Sequence, residues 1–537
     1  MNRDRAKRID ERLAVGDITQ AATWAQQAID EGEQDVMYLN LAAWRCEEAG
    51  DFAGARRRLE QALRLAPGDP SITTAIGTAL RKEGRLAEAV AAIDATLARH
   101  PDHIVSWLER GFALEAAGSF HAAAQSFETV VLLDPTLAAA HAGLAWIAAI
   151  EGDRQRVLDH AARAHAIEPN NVTASYAIAR SEIEQGLLEA ARDRLDALLE
   201  RSDIEPAQRM VALGLSGDAL DRLDATETAY ARYQAANRLF DRGRPRPDPN
   251  GEAPPTHSDF VRAIGAAVET THARWQATSD AAAPGPARRH VFVLGYPRSG
   301  TTLVENILAS AAGVEALEES ATLIDAEQRF LLDPRELATL FALDTPALDE
   351  WRTRYWDRVR AAGIDPTDRL FVDMDPLKSI KLPLIAKLFA DARIVIVRRD
   401  PRDVVWSCFR TSFARTLAAF DHVTLERAAR HYDAVMQLTQ TCLDRLPITA
   451  HVVRHEQVVR DFDATTQALC AFVDMPWTPD LRRFDRTAQR RGVATASASQ
   501  VRKGLFDSND RWRRYADQFD TVAPILRPWV ERFGYRS

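Results

Sequence analysis

Cysteine is scarce in this sequence. Cys46, Cys408, Cys442 and Cys470 are the four cysteines among 537 residues, with no CxxC pair and no histidines at a zinc spacing. That excludes a disulfide scaffold and leaves the four as reduced core thiols, with no metal site expected. Long apolar runs are missing too. No segment approaches the ~20 residues that cross a bilayer. The first residues, MNRDRAKRIDERLAVGD, are charged throughout and hold no apolar signal core. Together these absences predict a cytoplasmic protein with no membrane span. Positive charge is not in excess either. Lys and Arg number 68 against 77 Asp and Glu, a net charge of −9. Nonspecific binding of nucleic acid by the whole chain is therefore not expected, although a local anion site remains open. With 46% hydrophobic and 27% charged residues, the composition is globular, and the length calls for more than one core.

What is present begins with a period. Gly16, Gly50, Gly84, Gly118, Gly152 and Gly186 each stand 34 residues after the last, and Pro67, Pro101, Pro135 and Pro169 keep the same interval. Each unit reads as two short amphipathic helices. The glycine ends the first in the left-handed conformation, and the proline closes the second. Small residues (Ala21, Ala55, Ala89, Ala123, Ala191, Gly77, Gly111) stand where helices approach, and Trp107 and Phe127 are placed to fill the larger holes. Over residues 2–205 the sequence resembles the tetratricopeptide repeat (TPR) family, whose length is 34. Ala145 and Val157 depart from the small-residue pattern, so the repeat at 138–171 reads as weaker. Residues 206–240 look like a helical cap, which makes 1–240 an all-α solenoid domain. The array is expected either to offer a concave surface to a protein or peptide, or to serve as a scaffold that binds none.

Proline and charge crowd DRGRPRPDPNGEAPP (241–255), a linker that continues to about 290 and contains a helix near 258–277. From 291 to 537, short β-branched runs alternate with helical patterns, the mark of an α/β domain around a parallel sheet. Val291–Leu294 reads as a buried strand, and Leu303–Leu308 as a helix. Between them lies Gly295-Tyr-Pro-Arg-Ser-Gly-Thr-Thr302. Strand, glycine loop and helix present backbone N–H groups to a phosphate. The glycines keep the G-x4-G spacing of a nucleoside-triphosphate loop, but Thr301 stands where its lysine belongs. A kinase-like reading is opposed by that missing lysine. Arg298 places a cation inside the loop instead.

A second strand, Ile394–Val397, runs into Arg398-Arg399-Asp400-Pro401-Arg402-Asp403. Pro401 stops the strand, Asp403 is placed to help open the next helix, and Ser407 follows near its start. A guanidinium at a strand end and a hydroxyl on the next helix converge readily on one phosphate.

These two motifs, in this order, resemble the sulfotransferase family, and the PRSGTT form resembles protein-tyrosine sulfotransferases and bacterial TPR-containing sulfotransferases. The resemblance implies a donor, 3′-phosphoadenosine 5′-phosphosulfate (PAPS), and a product, adenosine 3′,5′-bisphosphate, with no metal. It implies that Pro297, Arg298, Ser299, Gly300, Thr301 and Thr302 hold the 5′-phosphosulfate, and that Arg399 and Ser407 hold the 3′-phosphate, with Arg398 a surface charge. Arg298 is implied as an electrostatic catalyst, since a guanidinium does not give up its proton. The catalytic base is implied at Glu319 of ALEES, with Glu318 as alternative. TASASQVRKGLF (495–506) resembles the family's closing loop. It implies Ser497 as a catalytic group near the bridging oxygen, and Gln500, Val501, Arg502 and Lys503 along the nucleotide, with Gly504 in place of the usual proline. His455 falls where the family has a tyrosine against adenine. One departure stands out: Met374 occupies the position of a lysine that contacts the leaving group, and Lys378 is the nearest cation. The implied activity is sulfuryl transfer to a hydroxyl acceptor, whether a protein tyrosine, a carbohydrate, a lipid or a small molecule. A TPR adaptor that binds a nucleotide without catalysis is the alternative.

Overall fold

The computed structural model describes residues 3–244, 254–275, 285–491, 501–502, 504–505 and 509–536. The chain divides into two compact units, Met1–Gln208 and Arg209–Ser537. No helix among the described residues is long and apolar enough to cross a membrane.

The first unit is a solenoid of paired helices running from Arg3–Ala14 to Leu188–Glu200. The periodic glycines all lie at φ between 74° and 83°, each just past a first helix. A Cβ at Gly16, Gly50, Gly152 or Gly186 would meet no atom within 4 Å. Backbone conformation, not space, is what demands glycine there. Space is the reason elsewhere. A Cβ on Gly111 would fall 2.4 Å from Phe127 Cε1, and one on Gly143 2.7 Å from Cε2, so the fully buried Phe127 ring is wedged between two first helices. Trp107 differs from expectation: it is half-buried, and its indole N–H donates to Pro101 O at 2.8 Å, pinning the turn rather than filling the core. Ala145 and Val157 are both fully buried in one cluster whose other buried members are alanines, and those small side chains leave the room valine needs.

In the second unit five parallel strands lie in the order β2-β3-β1-β4-β5, where β1 is Arg289–Leu294, β2 Val314–Glu318, β3 Leu370–Met374, β4 Arg393–Arg398 and β5 Ala450–Arg454. Period-two alternation sends Phe292, Leu294, Phe371, Ile394 and Ile396 into one core, and Val291, Val293, Val372, Met374, Val395 and Val397 into another. The helices Pro206–Arg222 and Thr226–Asp241, expected from sequence to cap the repeats, lie almost wholly within the second unit. Tyr233 joins its core and packs edge-on against Trp406, 5.9 Å between ring centroids. Asp218 of this pair accepts from Arg410 at 2.8 Å, which steadies the helix Pro401–Arg410. Helix His257–Thr271 opens with a capping box between Thr256 and Asp259.

From β1 the chain crosses to one side of the sheet, and from β4 to the other. The crevice between the carboxyl ends of these two neighbouring strands is where such sheets hold ligands.

Candidate functional site

The loop after β1 is fixed from three directions. Gly295 is pressed against β4: a Cβ there would lie 2.7 Å from Val397 O. Its carbonyl accepts from Ser379 Oγ at 2.6 Å. Tyr296 is buried, and its hydroxyl bonds to His431 Nδ1 at 2.6 Å and His422 Nε2 at 3.1 Å; His431 in turn bonds to His257 Nδ1 at 2.7 Å. Pro297 O accepts from the Cys408 thiol at 3.4 Å, and Ser299 N donates to Tyr296 O at 3.0 Å. Gly300, at φ 106°, then opens the helix Thr301–Leu308 with no side-chain cap. The first-turn amides of such a helix have no intrahelical acceptor and favour an anion.

Two residues here adopt a left-handed backbone without being glycine: Arg298 at φ 71° and Glu319 at φ 41°. The other described non-glycine residues with positive φ are all aspartates, which tolerate it better. Strain of this kind persists where surrounding structure enforces it. At Glu319 the enforcement is visible, since its N–H donates to Met374 O at 2.7 Å and extends the β2–β3 ladder.

The loop after β4 meets the first loop. Arg298 Nε donates to Ser407 Oγ at 3.0 Å, and Arg399 Nη1 lies 3.5 Å from Arg298 O. Arg399 is 8% exposed and sits 3.8 Å from Asp403. Burial holds the Arg298 guanidinium down to about 10, with Arg410 and Arg399 adding repulsion and Glu319 opposing it, so it stays charged at neutral pH. The cap of helix Pro401–Arg410 is Asp400, whose side chain accepts from Arg402 N at 2.9 Å, and not Asp403. Asp403 lies in the first turn and accepts from Asp510 N and Trp512 N at 2.8 and 3.1 Å, tethering the C-terminal segment. Arg398 is half-buried over the Phe533 ring at 4.2 Å rather than a plain surface charge.

His455 arrives from a third place, the start of the helix after β5. Its Nδ1 lies 2.7 Å from where a Gly300 Cβ would sit, and both ring nitrogens are covered without a protein partner. Burial first, then Arg399 and Arg298, push this imidazole down to about 3, so it is neutral. Residues 298–302, 399, 407 and 455 thus converge on one loop.

Glu319 keeps contact with solvent, yet protein hems its carboxyl in and pushes it up to about 7. Asp375 and Glu305 add to the rise, while Arg298 and Lys378 oppose it. Glu305 went unnoticed in the sequence. It is fully buried on the helix after the loop and held by Arg491 at 2.7 Å, and its carboxyl is raised by burial despite that partner. The one charged residue in TTLVENIL was the available signal. Met374 is fully buried in a sheet-face core. Lys378 is fully buried and paired with Asp373, which also accepts from Thr322 Oγ1 and Tyr355 OH at 2.8 Å. Neither offers a free cation at the position the family fills with lysine. Val501 is buried in the same core as Met374, and Arg502 O accepts from Gln489 Nε2 at 3.4 Å. Gly504 takes φ 86°, which proline cannot adopt. Ser497, Gln500 and Lys503 lie outside the described residues.

Fold and loop define a parallel α/β domain whose strand-loop-helix turn carries Thr301 where a triphosphate loop has lysine. Residues 290–479 match the sulfotransferase family, and residues 7–70 and 48–107 match tetratricopeptide repeats. The chain therefore carries a sulfotransferase-family domain C-terminal to tetratricopeptide repeats. An uncharacterized protein of Aquifex aeolicus is 29% identical over 255 residues, 45% of this chain and 33% of its own length. Protein-tyrosine sulfotransferase 1 of Danio rerio is 24% identical over 262 residues, 46% of this chain and 72% of its own. Protein-tyrosine sulfotransferase A of Caenorhabditis elegans is 23% identical over 278 residues, 46% and 67% respectively. This chain thus spans a third of the Aquifex aeolicus protein and about two thirds or more of the two animal enzymes.

Proposed function

We propose that the second unit is a PAPS-dependent sulfotransferase acting on a hydroxyl acceptor. The observation that carries this reading is the convergence of Arg298, Arg399, Ser407 and His455 on one glycine loop, with a raised carboxyl, Glu319, at its edge. The residues present fit a bisphosphorylated nucleotide. The start of the helix Thr301–Leu308 suits one phosphate, Arg399 and Ser407 suit a second, and the covered, unpartnered ring nitrogens of His455 suit a base edge. Bound there, PAPS supplies an activated sulfuryl group and leaves as adenosine 3′,5′-bisphosphate.

The chain's own groups supply the rest. Glu319, at a carboxyl pKa near 7, takes the proton of the acceptor hydroxyl. Arg298, charged and preorganised by its strained backbone, stabilises negative charge as it develops on the leaving oxygen. Tyr296 and its histidine partners hold the loop still. Protein tyrosines belong among the candidate acceptors, because proteins named as protein-tyrosine sulfotransferases are similar to 46% of this chain. The repeat unit supplies a surface for a protein or peptide partner.

A second reading, nucleotide binding without transfer, draws support from the buried Met374 and from the commitment of Lys378 to Asp373. One experiment bears on both. Adenosine 3′,5′-bisphosphate at about 100 times its dissociation constant is expected to add about 2.7 kcal/mol of stability, read as a raised melting temperature, while ATP with magnesium gives none. No shift with the bisphosphate removes both readings. A shift without turnover of PAPS on any acceptor selects the second.

A further inference from the structure

The sheet has a second charged end. Arg289 opens β1, with Arg288 just before it, and Arg393 opens β4, at the amino edge, opposite the glycine loop. Between them lies a cavity of about 290 Å³, walled also by Arg352, Trp356 and His290. Four arginines line it against a single acid, Asp391, in a chain whose net charge is −9.

Ordinary packing does not satisfy these groups. Arg352 is 6% exposed; its Nε donates to Leu388 O at 2.7 Å and its Nη1 to Asp349 at 2.8 Å, but its buried Nη2 has no protein partner. Arg289 Nη2 donates to Asp474 at 2.7 Å while its Nε is buried and unpartnered, and Arg393 Nε is in the same state. Trp356 is 4% exposed with a buried, unpartnered indole N–H. His290 Nε2 bonds to Tyr355 OH at 2.8 Å, and that hydroxyl donates to Asp373. The imidazole proton is thereby assigned to Nε2, and Nδ1 is left as a buried acceptor. Buried donors without acceptors are uncommon in native proteins, and guanidinium N–H groups match the oxygens of phosphate, sulfate and carboxylate.

We propose that this cavity binds a small molecule bearing a phosphate or sulfate group, at a site separate from the glycine loop. The oxyanion meets Arg289, Arg352 and Arg393, while the Trp356 wall accommodates an apolar portion of the ligand. Cavities near this size hold small ligands. The proposal is independent of the sulfotransferase reading, since no residue is shared between the two sites.

The test is calorimetric titration of the full chain with sodium phosphate and with sodium sulfate, in wild type, Arg393→Gln, Arg352→Gln and Arg399→Ala. Arg393→Gln and Arg352→Gln are expected to weaken oxyanion binding about tenfold or more, as loss of a charged hydrogen bond does. Adenosine 3′,5′-bisphosphate binding should stay the same in both. Arg399→Ala is expected to retain the oxyanion isotherm that the first two variants lose. Should Arg352→Gln fail to fold, Arg393→Gln decides alone, because that side chain is only half-buried. An isotherm unchanged in Arg393→Gln, or one abolished by Arg399→Ala, overturns the proposal, as does the absence of saturable binding in wild type. Phosphate binding without sulfate binding, or the reverse, identifies which oxyanion the site takes.

Discussion

The two units treat backbone strain in opposite ways. In the repeat unit every periodic left-handed position is glycine, although the space beside Gly16, Gly50, Gly152 and Gly186 is open and a side chain would fit. In the α/β unit two left-handed positions at the site, beside Gly300, carry Arg298 and Glu319, at a conformational cost of about 1–2 kcal/mol each. A repeat needs the turn and nothing from the side chain at that point. The site needs a guanidinium and a carboxylate aimed from a tight turn, so the surrounding hydrogen bonds hold the backbone where it would not otherwise go.

The sharpest way to test that contrast is Glu319→Gln. Sulfuryl transfer is expected to fall by about 10²–10⁴, with bisphosphate binding retained; turnover assays with labelled PAPS read the first and thermal shift the second. In wild type the same carboxylate sets a pH limb. Because its folded pKa is raised to about 7, the deprotonated base accumulates as pH rises, so activity should climb through about pH 7 and lose that limb in the variant.

Phe127→Ala addresses the other unit. Emptying a fully buried ring site between Gly111 and Gly143 should cost about 3–5 kcal/mol of repeat stability. Hydrogen exchange in residues 104–133 is expected to quicken, while bisphosphate binding by the second unit stays intact. Arg399→Ala should weaken PAPS and its product alike by about 1.5–3 kcal/mol, the value of a charged hydrogen bond, measured by calorimetry; equal affinity would remove Arg399 from the phosphate site.

The smallest effect tests the strain argument itself. Gly118→Ala should lower repeat stability by about 1–2 kcal/mol, because an L-residue resists φ near 75°. Glu319→Gly should do the reverse in the second unit, raising or preserving its melting temperature while abolishing transfer. A neutral Gly118→Ala, or a destabilising Glu319→Gly, breaks the contrast.

Much of this molecule was legible residue by residue. A 34-residue period states its own helix boundaries, because only glycine and proline serve at the turns. The strand-loop-helix pattern around Arg298 was legible, as were the strand before Arg399 and the helix that carries Ser407. Other features were hidden because they depend on residues far apart in the chain. Nothing in 206–241 signalled that Tyr233 would pack on Trp406, since an apolar helical face suits either neighbour. Nothing near Asp403 signalled that its partners would be the amides of 510 and 512.

By itself, then, the sequence determined the periodic solenoid, the α/β class and the strand-loop-helix form of the two loops, because these rest on local conformation and on residue type. Tertiary structure alone decided that His455 closes against Gly300 and that Glu319 is raised toward neutrality. It alone spent Lys378 on Asp373, and it gathered four arginines at the far end of the sheet. Burial and charge proximity are properties of neighbours, and neighbours exist only once the chain has folded.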